Sequence, residues 1–385
     1  MRFTFSLAAV SAAVLLSACA QTPTAPGAMP STVPTSAPMA TSGARLQTVA
    51  RFDHQVTGVT VSRDGRVFVN FPRWTEDSPV SVAEVMKDGS TRAFPDERWN
   101  AWRNARKDEL NAREHWVCVQ SVVADRQGNV WVLDAAAPGQ GSLVPTGPKL
   151  VKIDLATNRA VLTVPFDETI APQGSYLNDV RFSPDGRHAY ITDSGAKGAL
   201  VVVDLSTGRS RRLLDGDPRT QPEKDVLVRA DGQVLRRTDG RAVEFAADGI
   251  ALSPDGATLY WQAIKGKTLY GVPTAALVDA ALPPAQLSAR VARVGDNGPA
   301  DGLLIGRDGR MYVTAPEDDA VKVRDGVAAP LRVLVKDARL RWPDTLAEGP
   351  DGAVYVTSSR IQDMNWYKPA SPAALPTTLF RIEGR

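Results

Sequence analysis

At six places in the sequence a residue able to hold a ligand stands seven positions before a turn: Thr57, Gln120, Asn178, Asp248, Asp301 and Asp344, ahead of turn positions 64, 127, 185, 255, 308 and 351. Gathered on one point, the set offers three carboxylates and two amides. Oxygen-only donors of this kind suit a hard cation such as Ca²⁺ or Mg²⁺, and an acid among them is able to move a proton. The three His of the sequence, at 54, 115 and 188, give little support to a zinc site. There is no Gly-x-Ser-x-Gly, no phosphate-cradling Gly loop and no informative Cys–His pair. Any chemistry must therefore come from these polar residues. The competing reading is that they cap strand ends and bond to their neighbours, because buried acids and amides need partners.

What gathers them is a repeated hairpin. Leu177 to Phe182 alternates apolar and polar, Ser183-Pro184-Asp185-Gly186 makes a tight turn, and His188 to Asp193 returns as a second strand. The same grammar recurs around Asp64-Gly65, Gln127-Gly128, Asp255-Gly256, Asp308-Gly309 and Asp351-Gly352. Successive turn positions are 63, 58, 70, 53 and 43 residues apart. A period of about 40–50 residues is that of a four-stranded propeller blade, and the longer intervals leave room for insertions. The expected fold is all-β: a six-bladed β-propeller of four-stranded antiparallel blades, with a short helical insertion between blades 1 and 2. Six unrelated hairpins in a sandwich are the alternative. Innermost strands line a propeller's axial channel, so the six openers should face one mouth of it. The second strands should bring Asp134, Asp193, Gln262 and the regions of Thr314 and Thr357 back toward that mouth.

The chain has 385 residues and a net charge of +2, with no basic block, so nucleic acid is not an expected partner. Residues 1–18 form an apolar run too short for a membrane span and end in Leu16-Ser17-Ala18-Cys19, a secretory signal with small residues before a cysteine. This ending resembles the bacterial lipobox, which makes Cys19 a lipidation site. Residues 19–44, rich in Pro, Thr, Ser and Ala, cannot bury enough surface to fold and read as a tether. The expectation is a monomer in the bacterial cell envelope, exported, meeting the membrane through its lipid anchor only. Residues 45–385 are then the propeller. With Cys19 modified, Cys118 stands alone in the alternating Trp116-Val117-Cys118-Val119 and reads as a half-buried structural thiol. Residues 96–116 look helical, and Trp99 and Trp102, at i and i+3, are expected to share a face packed on the propeller. A strand at 45–52 and another at 377–383 are expected to meet in one sheet and close the ring.

Several of these segments resemble the Yellow and major royal jelly protein family: Trp99-Asn100-x-Trp102, Val119 to Asp125, Gly128 to Asp134, Leu177-Asn178-Asp179-Val180, Ala189 to Gly195 and Asp248 to Gly256. The resemblance runs from about residue 46 to the C-terminus and implies a six-bladed propeller. Bacterial members are often labelled as related to dopachrome tautomerases. A more distant similarity is to gluconolactonase and regucalcin-like propellers, which implies a divalent ion, often Ca²⁺, with Asn178 and Asp248 at positions of its ligands. The glutamate those propellers carry in the first blade is replaced by Thr57, which argues against lactonase chemistry. Two functions follow as expectations. One is a propeller binding a small polar or aromatic-amine-like molecule in its axial mouth. The other is a metal-dependent enzyme, a lactone hydrolase or a tautomerase.

Overall fold

The computed structural model describes residues 43–74, 78–369 and 375–384. The signal segment, Cys19 and nearly all of the tether lie outside them. Six four-stranded antiparallel sheets follow one another around an axis, each ordered from an inner to an outer strand. Blade 1 comprises Val59–Val61, Val67–Asn70, Val82–Val85 and Thr91–Ala93; blade 2 comprises Val119–Ala124, Asn129–Asp134, Lys149–Asp154 and Arg159–Pro165. Blade 3 is Leu177–Phe182, His188–Asp193, Ala199–Asp204 and Ser210–Leu213, and blade 4 is Ala247–Leu252, Thr258–Ala263, Thr268–Pro273 and Ala292–Asp296. Blade 5 is Leu303–Ile305, Met311–Ala315, Ala320–Arg324 and Arg332–Lys336. Blade 6 takes Pro343–Glu348, Val354–Ser358 and Thr377–Glu383 from the end of the chain and Arg45–Phe52 from its beginning. The expected seam is present, with Leu46 opposite Ile382 and Phe52 opposite Thr377.

Local sequence explains the blades. Val, Ile, Leu and aromatic residues alternate along strands whose two faces both meet a neighbouring blade, so the cores lie between blades. Tyr312 and Val323 of blade 5 pack with Val354 and Phe380 of blade 6, and Phe52 at the seam packs with Val59 and Val69 of blade 1. Burying each such side chain stabilises by about 1.5–3 kcal/mol. At the hairpin tips Ser183 and Ser253 hydroxyls donate to Asp185 and Asp255 at 2.5 Å, while Gly186 and Gly256 take φ of 70° and 75°, a region disfavoured for other residues.

The insertion between blades 1 and 2 corrects one expectation. The α-helix is confined to Glu97–Asn100, and short 3₁₀ turns at Asn104–Arg106 and Ala112–Glu114 follow. Trp102 falls beyond the helix end, so the i, i+3 relation fails. Trp99 lies against Trp116 with ring centroids 4.2 Å apart, whereas Trp102 is fully buried in a different cluster with Trp74 and Trp131. Cys118 is fully buried, beyond the half-burial expected, and burial pushes its thiol up to about 12, so it is structural.

Candidate functional site

The openers reach the channel mouth through a repeated irregularity. In blade 3 Leu177 pairs with Asp193 and Val180 with Ile191, so Asn178 and Asp179 together oppose Thr192 alone. Asp248 with Gly249, and Asp344 with Thr345, sit in the same position in blades 4 and 6. Such a bulge re-aims the side chains of a strand end. The following Gly lets consecutive blades approach. A Cβ on Gly249 would stand 2.0 Å from the Asp301 carbonyl oxygen, and one on Gly302 would stand 2.1 Å from that of Asp344. The close approach sets Asp248, Asp301 and Asp344 side by side.

All three carboxylates are buried, and no Lys or Arg pairs with any of them among the described residues. Asp248 bonds to Asp301, whose Oδ2 also accepts the Trp342 indole N–H at 2.6 Å. Asp344 accepts from the Thr345 hydroxyl at 3.1 Å. Burial first, then the carboxylates of Asp301, Asp344 and Asp179, pushes Asp248 well above the usual carboxylate range. Burial and the same acids do so for Asp344. Burial pushes Asp301 up to about 7, against the pull of Trp342 and Asp248. Each of the three acids is thus pushed toward its protonated form.

The other acids in the fold contrast with these. Asp134 accepts from the backbone N–H groups of Val117, Cys118 and Ala136 and pairs with Lys149 at 2.7 Å. Asp193 accepts from Tyr176 and Gly195 N–H and pairs with Arg212 at 2.6 Å. Strand pairing does return both to the opener end, opposite Val119 and Leu177, where each locks the segment leading into its own blade. Gln262 is spent on Gly266, Gly298 and Asn297. Thr192 and Thr357 donate across blade boundaries to the carbonyls of Asp248 and Thr57, both at 2.6 Å, and Thr314 stays within blade 5 on Gly302.

The remaining openers surround the acids less directly. Asn178 donates through Nδ2 to Ser194 Oγ at 3.0 Å, leaving its carbonyl oxygen for other use. Gln120 accepts the Tyr176 hydroxyl at 2.9 Å, and that hydroxyl accepts the Trp74 indole N–H at 2.6 Å. Thr57 is fully buried and its hydroxyl accepts from Asn70, which makes it wall rather than site. Asp179, which the seven-residue offset skips, sits beside the acids, accepts from Ser121 and lies 3.5 Å from Arg181. Its signal was the second polar residue in Asn178-Asp179.

A strap over residues 221–246, carrying the hairpin Arg229–Ala230 and Gln233–Val234, roofs this mouth. It accounts for the 70-residue interval between the third and fourth turns. Its Val228, Ala230, Leu235 and Val243 share one apolar cluster with Trp74, Tyr176 and Trp342. Its backbone bonds to Glu317 of blade 5 and to Trp366, Arg237 reaches Gln140 in the blade 2 loop, and Asp231 pairs with Arg341 and Lys368 at 3.0 Å. The site is an acid floor under an aromatic and aliphatic roof.

A Ca²⁺ ion of the kind the resemblance implies finds oxygen donors here in Asn178 and Asp248. Among the described residues, however, no three His, Cys, Asp or Glu side chains converge to hold one metal ion. Thr57 stands in place of the expected glutamate with its hydroxyl engaged. The described side chains therefore do not form a cage for Ca²⁺, which takes six to eight oxygen ligands.

Residues 117–370 match the family model described as "Major royal jelly protein". Among solved structures, a regucalcin from Agrobacterium tumefaciens titled a calcium-binding protein is 16% identical, covering 88% of this chain and 96% of its own, with TM-score 0.51. A gluconolactonase from Xanthomonas campestris is 14% identical over 88% and 89%, TM-score 0.52. A luciferin-regenerating enzyme is 11% identical over 88% and 95%, TM-score 0.55. At such identities the likeness is one of fold. A search of curated protein sequences found no significant match.

Proposed function

We propose, from the premise that this chain belongs to the major royal jelly protein family, that its strapped mouth captures a small organic cation, an amine with an aromatic body. The carrying observation is that, among the described residues, Asp248, Asp301 and Asp344 have no basic partner, whereas Glu84, Asp134, Asp179, Asp193 and Asp363, the other buried acids, each lie within 4.0 Å of an Arg or Lys. Uncompensated buried charge is costly. A protonated amine supplies the missing positive charge and N–H donors, and the indole and phenol rings above suit its body. Burial of both under the strap excludes water and strengthens the attraction.

The test is calorimetric titration with dopamine and tyramine at pH 8. Binding is expected, and Asp344→Asn or Asp248→Asn is expected to weaken it at least tenfold without unfolding the protein. A native protein that bound Ca²⁺ but neither amine would replace this reading with the metal-dependent one. A second reading as an enzyme is favoured by one feature, the contact of Asp301 with Asp248, because an acid pushed up to about 7 can both give and take a proton near neutrality. Conversion of dopachrome or hydrolysis of a gluconolactone, lost in Asp301→Asn, would establish it.

A further inference from the structure

At the opposite end of the axis the six hairpin turns surround a cavity of about 500 Å³, within the size range of small-molecule sites. It is built in three layers. The floor is the Asp179–Arg181 pair, with Arg181 Nη2 reaching from blade 3 to the Leu303 carbonyl of blade 5 at 2.9 Å. Asp179 also sits beside the acids of the other mouth, so this crossing marks where the cavity meets that cluster. Above the floor runs an apolar belt in which Val123, Leu252, Leu304 and Ile305 are only half-buried. The rim carries Arg63 and Arg126, both exposed, with Arg63 Nη1 donating to the Arg126 carbonyl at 3.2 Å.

The position before each turn residue is Arg in blades 1, 2 and 5 and Pro in blades 3, 4 and 6. Arg307 of blade 5 is engaged by Glu348 at 3.2 Å. Arg63 and Arg126 have no carboxylate partner among the described residues. Nearby acids are spent inside their own turns: Asp64 on Ser62, and Asp125 on Asn129, Trp131 and the Gln127 N–H. The rim therefore presents two arginines at the blade 1–blade 2 boundary, the guanidinium of one on the backbone of the other, above half-buried aliphatic side chains. Guanidinium groups recognise carboxylates through paired N–H donors, and the belt matches an apolar tail.

We infer that this turn-side cavity is a second binding site, for a small organic carboxylate whose head meets Arg63 and Arg126 and whose apolar body lies along the belt of Leu252, Leu304 and Ile305. The head group lies at the turn end of the axis, away from the proposed cation site at the opener end, with Asp179 bordering both. The experiment is calorimetric titration of the intact protein with octanoate, and with 1-octanol as the uncharged counterpart. Saturable octanoate binding is expected, weaker by at least tenfold at high salt, with 1-octanol binding at least tenfold more weakly. The exposed double variant Arg63→Glu/Arg126→Glu should abolish it while leaving melting temperature and amine binding at the other mouth unchanged. Leu304→Ala, which keeps both charges, should weaken octanoate severalfold. Absence of octanoate binding to the native protein, or equal binding to the double variant, would overturn the assignment.

Discussion

A carboxyl group raised in the folded state binds its proton more tightly there than in the unfolded chain. Its contribution to stability is complete below the unfolded value of about 4 and is lost as pH rises through the folded one. For Asp301, pushed up to about 7 chiefly by burial, the loss spans pH 4 to somewhat above 7. At about 1.4 kcal/mol per pH unit it reaches on the order of 4 kcal/mol as an upper bound. With chelator present and no amine, thermal unfolding should accordingly show higher stability at pH 5 than at pH 8. Asp301→Asn keeps an oxygen for the Trp342 N–H, so it should raise the pH 8 melting temperature and flatten the profile between 5 and 8. A variant melting below native at pH 8 would place Asp301 in a purely supporting role. At this scale the sequence showed the openers because the residue type recurs at a fixed offset from each turn. It did not show that Asp134 and Asp193 are consumed elsewhere, since their partners are defined by pairing: Lys149 lies directly opposite Asp134 across two strands, and Arg212 reaches Asp193 from an outer strand.

Among elements, the bulge and the strap do the positioning, and they differ in how they are written in the chain. Alternation cannot encode one extra residue at a strand's first pair, yet Gly after the opener, at Gly249 and Gly302, was a visible trace of the close approach between blades. Gly249→Ala forces a methyl against backbone rather than against a yielding side chain. Urea unfolding should show a loss of about 1–3 kcal/mol, as for overpacked cores, and amine binding should weaken with it because Asp248 and Asp301 are driven apart. The strap left no such trace. Its residues lack a sustained period, and its role arises from contacts with blades 2, 5 and 6, remote in sequence. The half-exposed Asp231 holds it to Arg341 and Lys368. Exposed pairs contribute up to about 1 kcal/mol each, enough to change opening rates severalfold without unfolding a blade. Asp231→Ala should speed both association and dissociation of amine in stopped-flow measurements while the melting temperature moves little. Unchanged rates would mean that the ligand enters by another route.

For the whole molecule, the ring and its seam were legible because a propeller repeats its grammar and leaves one strand unmatched at each end of the chain, Arg45–Phe52 and Thr377–Glu383, which the fold joins. A domain whose first strand begins at Arg45 follows a Pro, Thr, Ser and Ala-rich stretch that, by coil statistics, spans on the order of 30 Å, and before that stands Leu16-Ser17-Ala18-Cys19. Lipidation of Cys19 would hold the propeller clear of a bilayer with the strand closing blade 6 nearest the tether. Ala20, rather than Asp, after the cysteine resembles envelope lipoproteins passed on to an outer membrane. One acyl chain gives only weak, reversible attachment, and stable anchoring needs more than one, so a fully modified cysteine is required. Cys19→Ala should therefore move the protein from the membrane fraction to the soluble fraction, or stall it unprocessed, while purified material keeps the native melting temperature and amine affinity because Cys19 precedes the folded domain. Labelling with a radioactive fatty acid should mark native protein and leave the variant blank. Equal membrane association of the two proteins, with no label on either, would assign residues 1–18 to an ordinary cleaved leader and leave the propeller untethered.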